Sequence, residues 1–81
     1  MELKDTIDGM LHDDFKERFK AEYYQLKIRT EGLRRMLDKW TQGELDFEPK
    51  CSYDLLYNQL IIMDTYLTVL TRRAELEGII L

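Results

Sequence analysis

Very little in this chain breaks or staples a backbone. It has one cysteine, one proline, one histidine and four glycines in 81 residues. The lone Cys51 excludes an intramolecular disulfide and a thiolate zinc site within one chain, and fits a reducing, cytoplasmic setting. There is no H-E-x-x-H pair, no Ser/His/Asp or supported Cys/His set and no glycine-rich phosphate loop. The expectation is a protein that is not an enzyme and needs no cofactor. Apolar runs stop at three or four residues, too short to span a membrane. The opening MELKDTIDGML lacks the basic start and apolar stretch of a signal peptide. Basic excess is absent too: the net charge is −4. That disfavours general binding to nucleic acid, which needs a basic surface.

What is present is helical periodicity. Charged residues make up 35% and hydrophobic residues 44% of the chain, as suits one small domain of long helices. Residues 1–12 read as an N-terminal arm or short helix. Residues 13–81 read as a single helical-hairpin domain. The first long helix opens at Asp13-Asp14, where Asp14 and Glu17 have capping-box spacing. It carries the seam Phe19, Tyr23, Leu26, Thr30, Leu33, Leu37 and Trp40, and ends near Gln42 before Gly43. Thr30, beside Gly32, interrupts that seam. A connector containing Pro49 follows, with Leu45 and Phe47 expected to plug the end of the helix pair. Ser52 caps a second helix over about Tyr53–Glu77, whose seam is Leu56, Leu60, Met63, Leu67, Leu70 and Ala74. Gly78 stops it, and the Ile79-Ile80-Leu81 tail is expected to be packed rather than free.

The second helix is apolar over more surface than one partner helix covers. A further row, Leu55, Ile62, Val69 and Leu76, is spaced by seven. Gln59, Tyr66 and Arg73 lie between the two rows. The predicted architecture is therefore all-α: an antiparallel helical hairpin that self-associates into a helical bundle, as a dimer or higher homo-oligomer. Leu55, Gln59, Ile62, Val69 and Leu76 are the expected interface. The embedded polar residues either set register in that interface or line a polar site that assembly creates.

Few side chains point to chemistry. His12, Asp13, Asp14 and Glu17 can ligate metals, but they coincide with a helix start, where capping accounts for the acids; no metal is expected. Cys51 has no base nearby in sequence and reads as structural. The basic row Lys20, Lys27 and Arg34 flanks the first seam, with Tyr23 and Tyr24 one turn before Lys27. Such a row is either a solubilising edge or the charged half of a site for a flat, anionic ligand, with tyrosine faces for stacking. On the second reading the ligand-binding residues are Tyr23, Tyr24, Lys27, Tyr66 and Arg73.

The segments DFKERFKAEYYQLKIR, GELDFEP with the following Cys51, and YLTVLTRRAELEGIIL resemble a family of very small helical phage and prophage proteins related to a crAss-like gut phage product. The resemblance runs from about Phe15 to Leu81. It implies a mobile-element origin, a helical hairpin and residence in the bacterial host's cytoplasm, and it supplies no binding residues. By analogy of size and origin, it implies counter-defence: an oligomeric sponge for a cyclic nucleotide-type immune signal. The alternatives are an inhibitor of a host defence protein, of anti-CRISPR type, that would use the acidic connector residues Glu44, Asp46 and Glu48, or an assembly protein without ligand.

Overall fold

A computed structural model describes residues 1–81. The chain is all-helical: a 3-10 turn over Leu3–Thr6, then α1 (Ile7–Met10), α2 (Phe15–Thr41) and α3 (Tyr53–Glu77). The two long helices pack against each other as an antiparallel hairpin, and the 3-10 turn and α1 lie against α2.

The helix ends follow from local chemistry. Asp14 caps α2 by accepting from the Lys16 backbone N–H at 2.8 Å. Glu17 does not complete a capping box but lies 3.5 Å from the Lys20 ammonium. His12 adds to the cap, its Nδ1 accepting from the Asp14 N–H at 3.0 Å. Gly43, with φ +73°, takes the left-handed conformation that ends α2, and the Glu44 N–H reaches back to the Lys39 carbonyl at 2.9 Å. Ser52 caps α3 by accepting from the Leu55 N–H at 3.2 Å. At the far end Gly78, with φ +69°, repeats the left-handed stop, and the Ile79 N–H bonds the Ala74 carbonyl at 2.8 Å.

That second stop shapes the core. It turns Ile79 back into a buried cluster with Phe19, Leu70 and Ala74, against which Tyr23, Leu26 and Leu81 pack. Leu70 has no exposed surface at all. The apolar tail is thus split: Ile79 and Leu81 belong to the core, while Ile80 stays 86% exposed. Thr30 is buried in the α2 seam, where its hydroxyl donates to the Leu26 carbonyl at 2.7 Å, so the polar atom needs no partner from α3.

The connector end of the hairpin is closed differently from the expectation. Trp40 meets Tyr53 edge-on with ring centroids 5.5 Å apart, and Tyr53 stacks on Tyr57 at 6.1 Å. Leu45 and Phe47 lie instead along the outer flank of α2 beside Gly32, Arg35 and Met36, with Phe47 largely exposed. The aromatic side chains of α2 and α3 already fill the end, which leaves the connector nothing to plug.

The arm docks where α2 offers a small residue. A Cβ on Gly9 would stand 2.8 Å from the Ala21 Cβ, so only glycine permits this approach. Arg18 reaches back to the His12 carbonyl at 2.8 Å and ties the turn between arm and hairpin.

Candidate functional site

The helix periods place two adjacent tyrosines on different surfaces. Successive residues of a helix are about 100° apart. Tyr23 turns into the seam and packs on the core cluster. Tyr24 meets Tyr23 edge-on at 5.2 Å but lies beside Lys20, Ala21 and the docked arm. Lys27 is exposed, and Arg34 is bound across the hairpin by Asp64, its Nη2 lying 2.7 Å from both carboxylate oxygens. That hydrogen bond first, and the charge of Asp64 second, raise the Arg34 pKa above its ordinary value. The Lys20/Lys27/Arg34 row therefore runs along the flank of α2 that carries the arm and the Asp64 contact.

Tyr66 and Arg73 lie on the other flank, where α2 presents a different stripe. Phe15, Arg18, Glu22, Gln25 and Arg29 recur at three- and four-residue spacing along α2. With Phe19, with Met10 of the arm and with Tyr66 of α3 they line an open groove of about 440 Å³. The Tyr66 hydroxyl donates to Glu22 across it. The Arg73 guanidinium sits over the Phe19 ring, 5.0 Å from its centroid, and 4.0 Å from Glu77. The Tyr66 pKa is raised, chiefly by the hydrogen bond to Glu22, then by burial and by the Glu22 charge; Arg73 pulls the other way.

Two arginines, Arg18 and Arg29, thus line the groove with one carboxylate, Glu22, and Arg73 stands beside it over Phe19, on a chain whose net charge is −4. The Phe15 ring is half-exposed there, 6.1 Å from the buried Phe19 ring that Arg73 covers. Guanidinium forks match phosphate or carboxylate oxygens, and ring faces take a flat aromatic group. The arrangement offers donors and stacking surfaces, the parts that hold a ligand.

Of the five residues read from the sequence as ligand-binding, the structure brings Tyr66 and Arg73 together at this groove. Tyr23 is in the core, and Tyr24 and Lys27 lie outside the groove. Arg18, Arg29 and Phe15 were missed. Their signal was the α2 stripe itself, but only the helix crossing shows which flank of α2 faces Tyr66. The polar member of the expected interface, Gln59, makes a 3.8 Å contact from its amide nitrogen to the Met63 sulfur. No helix is long and apolar enough to cross a membrane.

Residues 13–76 match the model of a family described as Sequestin, which covers most of the chain. Neither a curated protein nor a solved structure matches it.

Proposed function

The chain belongs to the Sequestin family, and from that premise we propose that it is a non-enzymatic binding protein that sequesters a small anionic ligand with a flat aromatic part. The family's name speaks for sequestration. The observation that carries the ligand class is the groove lined by Arg18 and Arg29, with Arg73 beside it over Phe19 and the exposed rings of Phe15 and Tyr66 within it, on an otherwise acidic chain. A cyclic nucleotide-type signal has the matching parts: phosphates for the guanidinium groups and a base for the rings. Combined with the resemblance to small phage proteins, this makes the protein a counter-defence sponge in the host cytoplasm, working as a homo-oligomer. The binding domain is residues 13–81, with residues 1–12 as an arm that borders the groove through Met10.

Calorimetric titration with a panel of cyclic mono- and oligonucleotides tests this. Binding of at least one nucleotide, with unchanged nucleotide recovered after heating, is expected. Release of a cleaved product would overturn the non-enzymatic reading, and no binding across the panel would overturn the ligand class.

A second reading rests on the connector. Phe47 is largely exposed and flanked by the exposed acids Glu44, Asp46 and Glu48, an arrangement suited to a basic protein surface. Reversing those three charges would abolish capture of such a host protein while leaving nucleotide binding intact.

A further inference from the structure

Tyr66 lines the groove and also stands on the exposed face of α3, and we propose that a second copy of this chain docks on that face, antiparallel, and becomes a further wall of the groove. The identity of the ligand rests on the function proposed above; the pairing does not.

The docking face is a second complete heptad seam. Leu55, Gln59, Ile62, Tyr66, Val69, Arg73 and Leu76 follow alternating 4-3 spacing along α3, the pattern that a partner helix covers knobs-into-holes. They lie about 100° around the helix from the buried row of Leu60, Leu70 and Ala74. Leu55, Ile62, Val69 and Leu76 are 59%, 61%, 50% and 70% exposed. From Leu55 to Thr71 the only charged residue is Asp64, which is turned toward Arg34 on the other flank. A helix face meant for water carries more charge than this.

The surface area fits one further copy. A compact chain of 9.8 kDa exposes about 5,200 Å². This one exposes 6042 Å². The excess of about 850 Å² is that of an elongated 43 × 24 × 17 Å hairpin, and it leaves surface enough for the roughly 800 Å² that each partner contributes to a standard interface.

Charge selects the orientation. A parallel, in-register pair would set Arg73 against the partner's Arg73. Antiparallel layering instead puts Gln59 beside the partner's Leu76, Tyr66 beside the partner's Val69, and Ile62 beside the stem of the partner's Arg73. It separates the two guanidinium groups by about 16 Å along the axis. Arg73 already directs its head over Phe19, so its aliphatic stem can be covered while the charge stays at the groove. Tyr66 belongs to both the groove and the seam, so a helix packed on the seam stands over the groove mouth.

The test needs no ligand. Light scattering on the full chain should give twice the 9.8 kDa chain mass. Ile62→Glu and Val69→Glu, one turn on either side of Tyr66, should each halve it while far-UV helicity persists. Gln59→Cys and Leu76→Cys chains, each with Cys51→Ser, report orientation: mixed and oxidised, they should cross-link to each other about tenfold more than either does to itself. A Gln25→Cys thiol in the groove, in the same background, should be alkylated about tenfold more slowly in the pair than when Ile62→Glu is added. A 9.8 kDa mass at micromolar concentration overturns the pairing. Self-cross-linking of Gln59→Cys overturns the antiparallel register, and equal alkylation rates overturn the wall. A paired chain with a shielded groove that binds no nucleotide would sink the sequestration reading alone.

Discussion

The phenol of Tyr66 on α3 donates to a carboxylate oxygen of Glu22 on α2. With the Arg34–Asp64 pair it is one of two side-chain hydrogen-bonded links between the long helices, and the two lie on opposite flanks of the hairpin. One link stands in the candidate groove and the other outside it, which lets stability and binding be separated.

Tyr66→Phe removes the link in the groove. The side chain is part-exposed, so the stability lost should be about 1 kcal/mol, measurable by urea denaturation. The pH dependence has a definite sign. The folded-state pKa of Tyr66 lies above its ordinary 10.0, first because of the hydrogen bond to Glu22. The folded chain therefore keeps the phenol proton where the unfolded chain releases it. This contribution is fully present below pH 10 and is lost as pH rises through the folded pKa. Wild-type stability should fall in that alkaline window more steeply than that of Tyr66→Phe. Parallel curves would show that Glu22 does not hold the phenol proton.

Asp64→Asn acts on the other flank. Both partners are partly exposed, with 49% and 41% of their side-chain surfaces accessible. The pair should contribute only about 0.2–1 kcal/mol and weaken with salt. A double-mutant cycle with Arg34→Ala at low and high ionic strength measures it. A coupling that salt does not reduce would mean that the pair is shielded from solvent.

Two glycines make opposite predictions. Gly32 lies within α2, and an added Cβ would meet nothing closer than the Arg35 guanidinium nitrogen at 3.9 Å. Gly32→Ala should therefore stabilise the chain by about 0.5–1 kcal/mol. Gly9→Ala collides with the Ala21 Cβ and should release the arm while the hairpin stays folded. Thermal denaturation reports the first change. Amide exchange confined to residues 3–10 reports the second, and protection unchanged there would show that the arm accommodates the methyl group.

The hairpin was legible because its signals are local. The heptad seams, Asp14, Ser52, Gly43 and Gly78 each act within a turn or two of themselves, and the all-helical antiparallel hairpin follows from them. The groove was not legible because it depends on the crossing of two helices. Tyr23 and Tyr24 are equivalent in a list of aromatics, yet one residue of helical rotation sends the first to the core and the second to the arm. Arg34 reads as one member of a basic row until Asp64, thirty residues on, engages it. Trp40 and Tyr53 close the hairpin end because α2 and α3 bring them together across the connector, and this left Leu45 and Phe47 without the role that their alternation with acids implied.

The flank that binds ligand can be decided by four variants on one scaffold. If the groove holds the anion, Arg18→Ala, Arg29→Ala and Arg73→Ala should each weaken nucleotide binding by about 1.5–3 kcal/mol, the range for hydrogen bonds to charged groups, which is roughly ten- to a hundredfold in Kd. Lys27→Ala, on the arm-side flank, should change it less than threefold at moderate salt, because a solvated charge near no ligand acts only through a screened field. Arg18 also ties the arm through the His12 carbonyl, so its loss mixes two effects. Arg73 covers the Phe19 ring and belongs to the docking seam, so its loss mixes effects too; Arg29 has neither tie, and its variant carries the comparison. Helicity by circular dichroism shows that each chain is folded, and calorimetry supplies the Kd. If Lys27→Ala were instead the damaging change while Arg29→Ala and Arg73→Ala bound normally, the site would lie with Tyr24 on the arm side, and the groove would be a packing defect between two helices.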